Sequence, residues 1–144
     1  MTVQVQQFPD TSFDTKSLHQ LVNFAAANSR SAAVERHSFI INEVTPGLQI
    51  AMDEKILVSV LNQLLSTVVN NTKHSCIRIE AKEYDDVIFI TVKDNSSFAD
   101  LSVSPNFAQI KLLAMKLNGS IRIVSKEKKM TSILLSFPNF PIAC

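Results

Sequence analysis

The sequence predicts a two-layer α/β sandwich, a mixed sheet with its helices packed on one face. Apolar residues alternate between helical and strand spacing along the chain. The resulting order is helix, two strands, helix, two strands, helix, two strands. Short turns join the strands within each pair, which is not the regular strand–helix alternation of a doubly wound parallel sheet. At 144 residues, the chain is long enough for one domain and too short for two ordinary ones.

The elements follow in order. Residues 1–13 are polar, carry Pro9 and read as an arm ahead of a domain at 14–138; residues 139–144 read as a tail. Asp14 is placed to cap a helix whose apolar positions Leu18, Leu21, Val22, Ala25 and Ala26 fall at helical spacing, ending near Val34. Ser38–Val44 and Leu48–Met52 read as strands around a turn at Pro46-Gly47. Asp53 opens the strongest helix, where Leu57, Val60, Leu61, Leu64, Leu65 and Val68 make one wide apolar face. Cys76–Lys82 and Val87–Lys93 form a hairpin about Asp85-Asp86, with Ile77, Ile79 and Ala81 inward. Residues 94–105 are polar and irregular. A helix over Phe107–Leu117 stops at Asn118-Gly119. Ser120–Ser125 and Met130–Phe137 form a closing hairpin around a tip bearing Lys126, Lys128 and Lys129, which read as solvated.

Composition excludes several classes. The net charge of +1 provides no long-range field toward nucleic acid or an acidic membrane. No apolar run approaches the roughly 20 residues that span a bilayer, and the N-terminus lacks the pattern of a signal peptide. Cys76 and Cys144 offer neither a disulfide framework nor a metal-ligand spacing; Cys76 reads as a small core residue, and a reduced, cytoplasmic setting fits best. Only two glycines occur, Gly47 and Gly119, so the chain lacks the material for a glycine-rich phosphate cradle.

The motif frame resembles the ATP-binding domain of bacterial sensor histidine kinases, in the superfamily shared with gyrase, heat-shock chaperones and mismatch-repair ATPases. The similarity runs over about residues 13–138 and is strongest in Asp53–Thr72, DEKILVSVLNQLLSTVVNNT. That stretch keeps the family's frame at Asp53, Leu57, Leu61, Leu64, Leu65 and Thr72. The resemblance puts Gln63 at the helix's first asparagine, Thr67 at the Mg²⁺-coordinating asparagine and Asn70 at the lysine that follows. A threonine hydroxyl is shorter than an asparagine amide and serves Mg²⁺ less well. Of the family's Asp-x-Gly-x-Gly, the adenine-reading aspartate is kept as Asp94, while the glycines become Ser96 and Phe98. Phe98 either fills the vacated pocket or stacks on an aromatic ligand. The phosphate-binding Gly-x-Gly aligns with Ser104 and Asn106 around Pro105, which has no N–H; these also read as ordinary helix-start residues. Thr131 matches the threonine that hydrogen-bonds near the adenine-reading aspartate.

The resemblance therefore implies a degenerate histidine kinase-like ATPase domain that keeps its base-reading pair, Asp94 and Thr131, and has lost its Mg²⁺ and phosphate positions. The expected role is a non-catalytic binding or regulatory module in two-component-type signalling. Neither ATP nor Mg²⁺ is expected as a cofactor, and no residue is assigned a catalytic or metal-binding role. The expected partner is a protein, either kinase dimerisation helices or a response regulator, and not nucleic acid or membrane. Two alternatives stay open. One is a divergent domain that still binds ATP with Mg²⁺ and donates phosphoryl groups to a partner. The other is metal-independent binding of adenine or another small planar ligand. His19, His37 and His74 read as surface or boundary residues rather than phosphoacceptors, and the short arm leaves no room for a helical hairpin.

Overall fold

Asp53 starts the helix that organises the core. In the computed structural model, which describes residues 16–95, 105–125 and 131–140, its side chain accepts a hydrogen bond from the Lys55 N–H at 2.9 Å. That satisfies one of the donors left over at a helix start. The helix, α2, runs over Glu54–Asn70 and buries Leu57, Val60, Leu61, Leu64, Leu65, Val68 and Val69. Asp53→Ala should lower stability by about 1 kcal/mol. A urea titration with no loss would show that the cap is idle.

The first helix, α1, spans Leu18–Glu35 and buries Leu18, Leu21, Val22, Ala25, Ala26 and Ala33. It begins later than the sequence suggests. Lys16–Ser17 is a strand, β1, and Ser17 takes the N-cap position without capping the helix, its hydroxyl donating instead to the Pro46 carbonyl at 3.2 Å. Asp14 and the arm lie outside the described residues. The two segments after α1 also differ from the expected hairpin. β2 (Phe39–Asn42) pairs in parallel with β4 (Cys76–Tyr84), whereas β3 (Gln49–Ile50) pairs antiparallel with β1. The reason is local. The Asn42 side chain accepts from the Val44 N–H at 3.0 Å and donates to the His19 carbonyl at 3.0 Å, so the chain turns away from the sheet there.

β4 and β5 (Val87–Asp94) form the long hairpin. Asp85 and Asp86 both have positive φ, 58° and 63°. This is the mirror-image turn whose twist suits a two-residue hairpin, and aspartate tolerates it better than most residues. β6 (Ser120–Ser125) and β7 (Thr131–Pro138) close the fold antiparallel; the lysine-bearing tip between them lies outside the described residues. The main sheet has the order β2-β4-β5-β7-β6, mixed as expected.

One face of that sheet is buried, through Ile77, Ile79, Ile88, Ile90, Val92, Ile133, Leu135 and Phe137. The helices cover it. α2 packs against both α1 and α3 (Pro105–Lys116), with α1 over β2 and α3 over β6. Cys76 is only half-buried, because strand alternation puts Ile77 rather than Cys76 inward. At the end of α3, Asn118 takes the left-handed conformation with φ 58°, and Gly119 does not. The two residues of the expected stop therefore divide the work: Asn118 turns the chain, and Gly119 passes close to β7.

The residue after the last strand also carries structure. Asn139 donates to the Gln49 carbonyl and to Glu83 Oε2 and accepts from the Ala51 N–H, each at 2.9 Å. Its own N–H reaches the Asp86 carbonyl at 2.7 Å. It ties the exit of β7 to β3 and to the long hairpin.

Candidate functional site

The inward alternation of β5 ends on a polar residue. Asp94 follows Ile88, Ile90 and Val92 on the buried side and is 2% exposed. Buried polar groups are held by hydrogen bonds, and the partners of Asp94 come from the connection between α2 and β4. Thr72 Oγ1 donates to Asp94 Oδ1 at 3.3 Å, and Ser75 Oγ donates to the same oxygen. The Ser75 hydroxyl also lies 2.8 Å from Asn95 Oδ1, which accepts from the Cys76 N–H at 3.1 Å. A hydroxyl has one proton, so the carboxyl group and the amide oxygen share it. Ser75 is itself pinned, its N–H donating to Ser38 Oγ at 3.1 Å and its carbonyl accepting from the Phe39 N–H at 3.0 Å.

Thr131 lies directly opposite Asp94 in the β5–β7 register and is buried. The strand pairing thus brings the expected base-reading pair together at one end of the sheet. The α2 positions do not converge in the same way. Thr67 is 4% exposed among the buried residues of the helix, whereas Gln63 and Asn70 stand in solvent. The Thr67 carbonyl accepts from Asn71 Nδ2 at 2.7 Å, and Asn70 Nδ2 donates to Ser66 Oγ at 3.5 Å. Asn106 is exposed in the first turn of α3, directly after Pro105, as an ordinary helix start would have it. Ser96, Phe98 and Ser104 lie outside the described residues.

As a Mg²⁺ site, this set fits poorly. Mg²⁺ favours several hard oxygens in near-octahedral array, carboxylates above all. Here, the two candidate side chains on α2 are one buried neutral hydroxyl and one amide out in solvent. Among the described residues, no group of three or more histidine, cysteine, aspartate or glutamate side chains is arranged to hold a metal ion.

Sequence reading missed Ser75 and Asn95. Both sit at element ends, where periodicity carries no information, and a serine beside a strand reads as a turn residue. The histidines lie at a boundary or at the surface. His19 is half-buried, with Nδ1 2.7 Å from the Val44 carbonyl. His37 and His74 are exposed and stack with ring centroids 5.1 Å apart and planes within 4°. Both have positive φ, and the His74 N–H donates to the Arg36 carbonyl at 3.0 Å. Among the described residues, no helix is long and apolar enough to cross a membrane.

Comparison with solved structures places this architecture. The chain is similar to the catalytic domain of histidine kinase ThkA, with TM-score 0.77 and 13% identity, covering 92% of this chain and 100% of that one. It is similar to Acinetobacter baumannii histidine kinase AdeS at TM-score 0.77 and 10% identity, covering 88% of this chain and 66% of that one. A mycobacterial sensor histidine kinase, MprB, gives TM-score 0.71 and 13% identity, over 90% of this chain and 99% of that one. No protein-family model and no curated protein sequence matches the chain. The fold is that of histidine kinase catalytic domains.

Proposed function

We propose that this chain recognises a protein partner in two-component-type signalling, in the cytoplasm, on a kinase-type nucleotide fold that no longer handles Mg²⁺-ATP. The observation that carries the reading is Thr67. The position that the resemblance assigns to the metal-ligating amide is a buried hydroxyl, with Gln63 one turn before it in solvent. Phosphoryl transfer depends on positioned metal and fixed donors around the phosphates, and this donor set offers neither. In the described chain, the lasting asset is a folded surface. Without the metal position, the hydroxyls and carboxyl group at the end of β5 support packing rather than turnover.

One observation favours a second reading, metal-independent adenine binding: Asp94 and Thr131 face each other in register. A single calorimetric experiment separates the two. Titrating Mg²⁺-ATP to about 1 mM should give no binding heat under the first reading. Micromolar affinity that requires Mg²⁺ would sink it. Metal-independent heat from adenosine or ADP that disappears in Asp94→Asn would move the assignment to the second reading.

A further inference from the structure

The outward face of α3 is apolar where a solvated helix is ordinarily polar. Leu112 is 63% exposed and Met115 65% exposed. Ala108, also exposed, stands one turn before Leu112. At spacings of four and three residues, the trio forms one stripe. The helix does not use this stripe for its own packing, because Phe107, Ile110, Ala114 and Leu117 supply the buried side.

The charges that α3 itself carries are of one sign. In Pro105–Lys116, the only charged side chains are Lys111 and Lys116. At 3.6 residues per turn, they fall on opposite flanks of the Ala108–Leu112–Met115 line. Lys111 is also steadied in place, with Nζ 5.3 Å from the centroid of the Phe107 ring. The result is an apolar ridge with a basic rim on both sides.

We propose that this face docks an amphipathic helix of a partner protein, whose apolar ridge meets Leu112 and Met115 and whose flanks carry glutamate or aspartate. The inference rests on the protein-recognition reading above and adds the surface and the partner's chemistry. Charge complementarity selects this occupant. A second copy docking through the same face would bring lysines against lysines. The groove of about 500 Å³ between α1 and α2 gives no such selection, since both Glu54 and Lys55 line it along with Leu21, Phe24 and Val58.

The test uses the whole chain, isotopically labelled, and two synthetic helical peptides with the same leucine ridge, one flanked by glutamates and one by lysines. The glutamate peptide should shift the amide resonances of Ala108, Leu112 and Met115, and the lysine peptide should not. Leu112→Ser and Met115→Ser, both at exposed positions, should each weaken binding about ten-fold. The double change Lys111→Glu and Lys116→Glu should reverse the preference between the peptides. Silence from both peptides, equal binding of both, or shifts confined to α1 and α2 would overturn the proposal. So would self-association through Leu112 in sedimentation, or binding to phosphatidylserine vesicles with both peptides inert. Calorimetry with Mg²⁺-ATP addresses the non-catalytic reading independently, so a failure of either can be told from the other.

Discussion

Gly119→Ala should be severely destabilising, by about 3 kcal/mol or more, at the upper end of what overpacking costs. A Cβ built at this position would stand 2.1 Å from the Ser136 carbonyl oxygen and 2.8 Å from Phe137 Cβ. The colliding groups cannot swing aside. Ser136 pairs with Ser120 on one side and Phe89 on the other, so its carbonyl belongs to the interior of the sheet. Phe137 is fully buried. Gly119 itself is held by its N–H to the Ala114 carbonyl at 3.0 Å, which fixes the end of α3. Relief requires breaking either the helix end or the first residues of β6. The melting temperature should drop by on the order of 10 °C. Gly47→Ala is the internal control, since nothing lies within 4 Å of its added Cβ, and its effect should stay within about 0.5 kcal/mol. If urea unfolding gave Gly119→Ala a loss below about 1 kcal/mol, the close approach of α3's end to β7 would be wrong.

Asp94→Ala should cost about 2–3 kcal/mol without any ligand present. Asp94 Oδ1 is the acceptor for both the Thr72 and Ser75 hydroxyls, and all three residues are buried. Removing the carboxylate takes an acceptor from two buried hydroxyls, leaves Ser75 to Asn95 Oδ1 alone, and opens a void at the end of the sheet. Asp94→Asn retains one oxygen in nearly the same place and should lose less than half as much. Chemical denaturation of the three proteins side by side decides this. Equal stability of wild type and Asp94→Ala would show that the hydroxyl network carries no weight. The ordering matters for the ligand test, because Asp94 also bonds Thr72 and Ser75 of the α2–β4 connection. A ligand assay on Asp94→Ala alone would confuse unfolding with lost recognition, which is why the calorimetric test uses the asparagine variant.

The fold was legible wherever one face of an element is uniformly buried. The pairs of apolar residues in α2 and the strict alternation in β4 and β5 leave a single way to sit against the core. The β1–β3 pairing was not legible, because two-residue strands have no periodicity and their partners are distant in sequence. Reading residues 38–52 as a hairpin failed for a related reason. Pro46-Gly47 signals a turn truthfully, yet a turn signal does not say which strand pairs with which, and the Asn42 side chain redirected the chain. At the candidate site, Asp94 and Thr131 could be placed from their motif positions, and the strand register brings them together. Ser75 could not. Its importance comes from the α2–β4 connection folding back over the end of β5, a relation between distant segments that no local pattern encodes.

The parallel pairing of β2 with β4 has a consequence for how the domain assembles. The β4–β5 hairpin closes through two residues, so its ladder can grow outward from the turn with little loss of chain entropy. β2 has no such shortcut. Its ladder to β4 exists only after all of α2 and its flanking turns have been drawn into a closed loop, and that entropy is lost before any rung forms. Folding must therefore bring the two ends of the α2 crossover together before this edge of the sheet can register, a non-local step that sits uphill of the contacts that reward it.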